Sequence, residues 1–335
     1  MRAVIIQGNE AKLVRDRILP KLQDDQMLVQ PMAVALNPTD WKHIAYRRAK
    51  DGALVGCDYS GVVTQVGKAV QKSWRKGDRI CGCTHGSNLV NPEDGAFAEL
   101  ISVKGDVQVR IPRGLSYEKA ATLGLGGITV GQGLYQKSLK LRLPNEPITD
   151  KEFMLVYGGS TATGALAIQF AKFYYVKSLG ASAVFDYNDP HVGASIRAYT
   201  DDSLKYAFDT ISSGTSIKIC AEALSTQPGG RIGILSPVKS PRDDVKVTFT
   251  AMYTMFGKAF QFGPRYMPAS LEDLDFAKMF MSSQKSCWQS IVTHKERICP
   301  NGLAGVLEGL KHMKDGKISG EKLVYRVDET PDYAS

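Results

Sequence analysis

The chain has 335 residues, 43% of them hydrophobic and 23% charged, a length and composition that fit two soluble domains with separate cores. No apolar run approaches the ~18 residues of a membrane span. The opening MRAVIIQGNEAKLVRD turns polar before a signal-peptide core can form, which predicts a cytoplasmic protein.

The formal net charge of +8 is dispersed, with no basic run interleaved with aromatics, so nucleic acid is not an expected partner. A solvated basic surface accounts for it, and an acidic carrier protein or a phosphorylated ligand is the other reading. The six cysteines are scattered and predict reduced thiols rather than a disulfide framework.

In chain order, residues 2–7, 26–36, 61–67, 78–82 and 96–103 read as short strands. β-Branched residues fill them and Gly and Pro punctuate them, the texture of a folded-over β domain. From residue 116 the pattern turns helical, with Ser116 and Lys119 giving a partial capping signal. The polar loop RLPNEPITD, 142–150, leads into KEFMLVYGGSTATGALAIQFAK: an apolar strand, a glycine turn and an amphipathic helix. Strands at 183–187, 206–209 and 230–235 then alternate with helical stretches, which predicts a parallel α/β sheet. Residues 301–314 read as a helix and 322–327 as a strand. The expected division is a β-rich domain of 1–120 rejoined by 288–335, around a doubly wound domain of 121–287.

The strand–turn–helix at 153–172 carries the clearest chemistry. Gly158 and Gly159 permit a tight turn, and Ser160, Thr161 and Thr163 offer hydroxyls and backbone N–H groups at a helix N-terminus. Such an end favours an anion such as a pyrophosphate. Thr161 stands where the middle glycine of G-x-G-x-x-G would be, so a plain βα turn fits the spacing as well as a phosphate site does.

Asn37-Pro38-Thr39-Asp40-Trp41-Lys42, Gly56-Cys57-Asp58-Tyr59-Ser60-Gly61-Val62-Val63, Val66-Gly67 and Gly77-Asp78-Arg79 resemble the quinone-reductase branch of the medium-chain dehydrogenases/reductases. With YGGSTATG and the closing Ile318-Ser319-Gly320-Glu321-Lys322-Leu323-Val324, nearly the whole chain resembles the fungal trans-acting enoyl reductases. Those enzymes serve polyketide synthases whose own enoyl-reductase domain is inactive. The resemblance implies an α/β chain with a doubly wound parallel-sheet (Rossmann) NADPH-binding domain and a β-rich GroES-like catalytic domain. It implies NADPH reduction of a carrier-bound α,β-unsaturated polyketide thioester. The implied partners are a polyketide synthase and its acyl carrier protein, and the chain itself is expected to be a monomer. A quinone or free enone reductase is the enzyme alternative, and a cofactor-deficient, non-catalytic relative or defective gene product is the other.

In the zinc branch of that family a cysteine begins the C-x-T-D segment and a histidine follows the glycine of G-H-E. Asn37 and Cys57 hold those places here, and an amide with one thiol cannot replace a three-ligand zinc set. Cys81-x-Cys83-x-His85 alternates as a strand does, so no metal is expected.

Without a metal, charge gathering on the substrate carbonyl needs a cation or hydroxyl. Lys42 is the catalytic candidate, and a solvated surface lysine is its other reading. The resemblance places Thr39, Asp40, Trp41 and Lys42 at the nicotinamide end of the cofactor. It places Ser160, Thr161, Ala162 and Thr163 at its phosphates and Tyr187 on the adenine side. Leu235 and Ser236 fall beside the nicotinamide, and Ser319 and Gly320 over the cofactor. Thr129, Val130, Gly131, Gln132, Gly133, Leu134, Tyr135 and Gln136 would line the substrate channel with Tyr253, Thr254, Met255, Phe256 and Gly257. Thr129, Tyr253, Met255 and Phe256 also read as ordinary packing. Asp40 and Asp58 read as turn or capping residues rather than acids.

One departure stands out. After Lys172 the family continues with a second strand and a loop that grips the ribose 2′-phosphate. Here Lys172 runs into Phe173-Tyr174-Tyr175, with about fourteen residues missing relative to that unit. An omitted segment, a mis-joined coding sequence and a real deletion each account for it. A real deletion predicts one long helix over 164–180 and a crippled cofactor site.

Overall fold

Turn-punctuated β-branched runs at one end of a chain and strand–helix alternation in its middle call for two different packings, and the computed structural model has both. It describes residues 1–144, 152–173, 181–283, 288 and 290–332. The chain forms two compact units, Met1–Leu125 with Tyr253–Ser335, and Gly126–Met252.

The elements run β1 (Ala3–Gln7), β2 (Glu10–Val14), β3 (Gln26–Ala35), α1 (Pro38–Ala45), β4 (Asp58–Val66), β5 (Arg79–Cys83), β6 (Ile101–Lys104), β7 (Val109–Arg110) and α2 (Tyr117–Ala120). Next come α3 (Gly124–Gly131), β8 (Met154–Tyr157), α4 (Ala162–Phe173), α5 (Val192–Tyr199), β9 (Tyr206–Asp209), α6 (Gly214–Ala223), β10 (Arg231–Ile234) and β11 (Lys246–Phe249). The chain closes with β12 (Phe260–Phe262), β13 (Arg265–Met267), α7 (Leu271–Ser283), β14 (Glu296–Cys299), α8 (Gly302–Lys314) and β15 (Lys322–Arg326).

In the first unit β3 is the organising strand. It pairs antiparallel with β4, with β6 at one end and with β15 at the other, and its register shifts at Leu28/Val29 and Pro31/Ala33. Such bulges bend a strand so that one segment can serve several neighbours, and Pro31, which has no N–H to donate, sits at one of them. β15 thus brings the C-terminal segment into the N-terminal sheet, as read from the sequence. Met27, Val34, Leu36, Tyr59, Phe97 and Ile101 form the core with Leu303, Val306 and Leu310 of α8. Gly56, with φ +98°, lies against Phe97, whose ring a Cβ there would meet at 2.2 Å. The expected strand over 96–103 begins only at Ile101. Ala96 and Phe97 instead donate backbone N–H bonds to Val55 and Gly56, outside a regular ladder. Ser116 does cap α2, accepting from the Lys119 N–H at 3.3 Å.

The second unit is the expected parallel α/β sheet, in the order β11-β10-β9-β8 with every pair parallel. Ala207, Ile232 and Ile234 of this sheet pack with Val192 and Ile196 of α5 and Ile217 and Cys220 of α6.

Two expectations need correction. Residues 183–187 form no strand: Phe185 still packs on the core, but Val184 and Tyr187 are exposed. In a doubly wound sheet the third strand pairs with the second, not with the first. Among the described residues no second strand lies beside β8, so 183–187 have no ladder there to join. Accordingly β8 is an edge strand among the described residues, and all four of its side chains are only half-buried. Residues 174–180, over which the long helix was expected to continue, lie outside the described residues, as does most of the 142–150 loop; α4 is described as far as Phe173. The second correction concerns 253–287, which was expected in the doubly wound domain. The described part of that stretch groups with the first unit, because Tyr253 and Met255 reach Thr39 and Cys83 there.

Candidate active site

In the first unit, the chain leaves β3 at Asn37 and enters α1 through Pro38, whose fixed φ suits a first helical position. The Asn37 N–H donates to Asp40 Oδ2 at 2.7 Å, so Asp40 does act in capping, as expected. That uses one oxygen only. Asp40 Oδ1 is buried with no partner at hydrogen-bonding geometry, although the Cys57 thiol is close enough to act on its ionisation. Burial pushes the Asp40 carboxyl up to about 7, against the pull of the Asn37 N–H, Cys57 and Lys322.

Thr39, one residue earlier and partly exposed, shares a 2.7 Å hydrogen bond with the Tyr253 hydroxyl. That hydroxyl also lies 3.7 Å from Cys57 Sγ. Burial raises both the Cys57 thiol and the Tyr253 phenol well above their ordinary ranges, so both stay protonated. The Tyr253 ring stacks on His85 at 3.9 Å between centroids, with His43, Phe260 and Phe262 around it. Burial lowers both histidines, His43 to about 4, and His43 Nε2 has no partner.

Behind this group, Lys322 Nζ donates to Asp58 Oδ2 at 2.5 Å and to Asn37 Oδ1 at 3.1 Å, with all three residues buried. Asp58 Oδ2 also accepts from Asn37 Nδ2 at 3.0 Å, and Oδ1 from the Leu125 N–H at 2.6 Å. The ammonium therefore stands between Asn37, one of the two places tested above for zinc, and Asp58, the chain neighbour of the other. Among the described residues, no group of three or more His, Cys, Asp or Glu could hold a metal ion.

Lys42 lies on α1, half-buried, its Nζ 5.8 Å from the Trp41 ring centroid. No hydrogen bond or ion pair engages it among the described residues, and burial together with Arg48 lowers its pKa. A half-desolvated cation without a counter-charge is an available partner for an anionic oxygen.

In the second unit, Gly158 turns the chain after β8 with φ +78°, and Gly164 lets α4 approach that turn, since a Cβ there would meet the Gly158 carbonyl at 2.2 Å. Thr161 is consumed locally: its Oγ1 accepts from the Gly164 N–H at 2.9 Å and contacts Thr210 Oγ1 at 3.1 Å. Ser160 is exposed, and it and Thr163 keep their hydroxyls out of any such bond among the described residues. This glycine-shaped turn at a helix start fits a dinucleotide pyrophosphate.

Of the other expected residues, Tyr187 is exposed beside Tyr157, and the Leu235 N–H donates to Ser212 Oγ at 2.7 Å, with Ser236 next in the chain. Thr129 and the stretch to Tyr135 are buried in the second unit, where the Tyr135 hydroxyl donates to the Phe170 carbonyl at 2.9 Å and Gly133 abuts Phe208. Ser319 and Gly320 are on an exposed turn before β15. Met255 is core, its sulfur 3.7 Å from Cys83 Sγ. Thr39, Asp40 and Tyr253 are thus brought together. Cys57, His43, His85 and Lys322 were not foreseen as their companions, although Cys57 and His85 are weighed above as metal ligands and Lys322 lies in the closing motif.

The alcohol dehydrogenase GroES-like domain family matches residues 23–113. The trans-enoyl reductase TOXD of Cochliobolus carbonum is 49% identical over 274 residues, 77% of this chain and 91% of that protein. The trans-enoyl reductase ACTTS2 of Alternaria alternata is 41% identical over 344 residues, 98% of this chain and 99% of the relative. That aligned length exceeds the 335 residues here, so part of the relative has no counterpart in this chain. Among solved structures, a mycobacterial protein in complex with NADPH shares the fold at a TM-score of 0.70 and 17% identity, over 97% of this chain and 99% of that one.

Proposed function

Because the chain belongs to the trans-enoyl reductase family of the medium-chain dehydrogenases/reductases, we propose that it reduces the double bond of an α,β-unsaturated thioester borne by the acyl carrier protein of a polyketide synthase, with NADPH as the reductant. The observation that carries this reading is Lys42, a half-buried ammonium with no hydrogen bond or ion pair among the described residues, three residues along α1 from Thr39. A nicotinamide supplies hydride to the β-carbon. The chain must then stabilise the negative charge on the thioester oxygen, which a positioned ammonium does in a low-dielectric site.

Ser160, Thr161, Ala162 and Thr163 are assigned to the pyrophosphate, with Thr161 acting through the turn it caps rather than by its own hydroxyl. Tyr187 is assigned to the adenine, Leu235 and Ser236 with Thr39, Asp40, Trp41 and Lys42 to the nicotinamide end, and Ser319 and Gly320 to the cofactor's outer side. Thr129–Gln136 and Tyr253–Gly257 supply the acyl contacts, less Met255, which faces Cys83. The enzyme works in the cytoplasm as a zinc-independent monomer.

The test is NADPH oxidation by the purified protein with a pantetheine-linked enoyl thioester and, separately, with a quinone. Turnover of the thioester is expected to be poor or absent in the shortened chain, which holds NADPH weakly, and to rise once a relative's second strand and loop are inserted between Lys172 and Phe173. Turnover of the quinone alone would replace this reading with the quinone-reductase one.

A further inference from the structure

Hydride addition completes only half of the reaction, since the α-carbon must also gain a proton. Lys42 is one proton source to consider, but it has no partner among the described residues to resupply it. The first unit holds a different set of groups that fits the task. Thr39, partly exposed, is hydrogen-bonded to Tyr253; the Tyr253 hydroxyl touches the Cys57 thiol; the thiol lies beside Asp40. Capping explains one oxygen of Asp40, and stacking on His85 explains the ring of Tyr253. Neither explains a file of exchangeable hydrogens, hydrogen-bonded from Thr39 through Tyr253 to Cys57 and buried except at its Thr39 end, with a spare Asp40 oxygen beyond the thiol.

We propose that Asp40, Cys57, Tyr253 and Thr39 form a proton-delivery chain that ends at the Thr39 hydroxyl and protonates the α-carbon of the reduced thioester. This rests on the enoyl-reductase reading above. The balance is as follows. Hydride from the reduced nicotinamide forms the β C–H bond, and the π pair of the double bond moves to the α-carbon and carbonyl oxygen. The α C–H bond forms as the Thr39 O–H breaks. Tyr253 passes its proton to the Thr39 oxygen, Cys57 passes its proton to the Tyr253 oxygen, and Asp40 passes its proton to the Cys57 sulfur. Asp40 is left as a carboxylate and is reloaded by the reverse hops, as a proton from water enters at Thr39, the one end that is not buried.

Burial favours the neutral form of each of Asp40, Cys57 and Tyr253, and with the Asp40 carboxyl at about 7 the file is loaded below that pH and about half loaded at it. The groups acting on Asp40 are the Asn37 N–H, Cys57, Asp58 and Lys322. The nearby Lys322 ammonium, held between Asp58 and Asn37, stabilises the carboxylate during the instant that it is charged.

Tyr253→Phe keeps the ring on His85 and removes the link, and Thr39→Val removes the outlet. Each is expected to lower kcat for enoyl-thioester reduction by about 10²-fold or more, the scale of a lost general acid. Both should raise the solvent deuterium isotope effect, and Tyr253→Phe should do so with nucleotide affinity by fluorescence unchanged. Thr39→Ser should restore the rate. In the cofactor-free protein, the infrared band of the protonated Asp40 carboxyl, identified by its loss in Asp40→Asn, should shift its titration midpoint in Tyr253→Phe. Wild-type kcat and isotope effect in Tyr253→Phe, or loss in Thr39→Val alone, would overturn the chain while leaving the enoyl-reductase reading intact. A protein that reduces no enoyl thioester even with the second strand and loop inserted overturns that reading and the proton's destination with it. An infrared band blind to Tyr253→Phe in that inactive protein would remove the chain as well.

Discussion

Asp40 and His43, three residues apart on α1, respond to pH in opposite senses. Asp40 has its folded pKa raised to about 7 from 3.8, so between those values the folded state binds a proton that the unfolded state lacks, and stability falls as pH rises. His43 is lowered to about 4 from 6.5, so the unfolded state binds more protons across that interval, and stability falls as pH drops; His85 acts in the same direction. At full extent the Asp40 effect is about 4 kcal/mol and the His43 effect about 3 kcal/mol, and over the shared interval they offset. Asp40→Asn should therefore steepen the loss of stability on acidification below the ordinary histidine range, as read by urea midpoints at a series of pH values. An unchanged pH dependence would show that Asp40 ionises normally. Lys42→Ala, by contrast, should leave those midpoints alone and lower turnover by about 10²-fold, as for one lost electrostatic contact; unchanged kinetics would make Lys42 a surface lysine. Thr39, Asp40 and Tyr253 were legible through their motif. His43 and His85 were not, because a neutral buried histidine leaves no mark in local spacing and its stacking partner arrives from 253.

The βα turn at 158–164 was readable because glycine, hydroxyl and helix onset lie within a few residues of each other, and so was the order of β8, β9 and β10. The strand at 183–187 was misread for a reason that local pattern cannot reveal: its composition suits a strand, but no neighbour in the ladder stands beside β8 among the described residues. That absence bears on binding. A charged contact to the 2′-phosphate contributes about 1.5–3 kcal/mol, roughly ten- to a hundredfold in affinity, and the sheet beside β8 would also support the adenosine. The chain should bind NADPH weakly, and inserting a relative's second strand and loop between Lys172 and Phe173 should tighten binding by at least that factor. Micromolar affinity in the unaltered protein, measured by nucleotide fluorescence, would show that the short junction is tolerated.

Across the whole molecule, Lys322 fastens the last strand to the first sheet. It is buried with Asp58 and Asn37, and a buried pair that loses one partner costs about 3–5 kcal/mol because the other charge is stranded. Lys322→Ala should show that loss in chemical denaturation, and Lys322→Met combined with Asp58→Asn should show much less. Equal losses would mean that packing, not charge, sets the effect. The same arrangement governs how the protein is made. The Asp58 carboxylate waits 264 residues for its cation, and the 33–35 end of β3 waits as long for β15. The contiguous 126–252 unit leaves the ribosome complete while the earlier β-rich segment still has an unpaired strand end and an uncompensated buried acid. Nascent chains stalled before Lys322 should therefore carry a protease-resistant middle and a protease-sensitive beginning, and it is the first-made residues that need a chaperone longest.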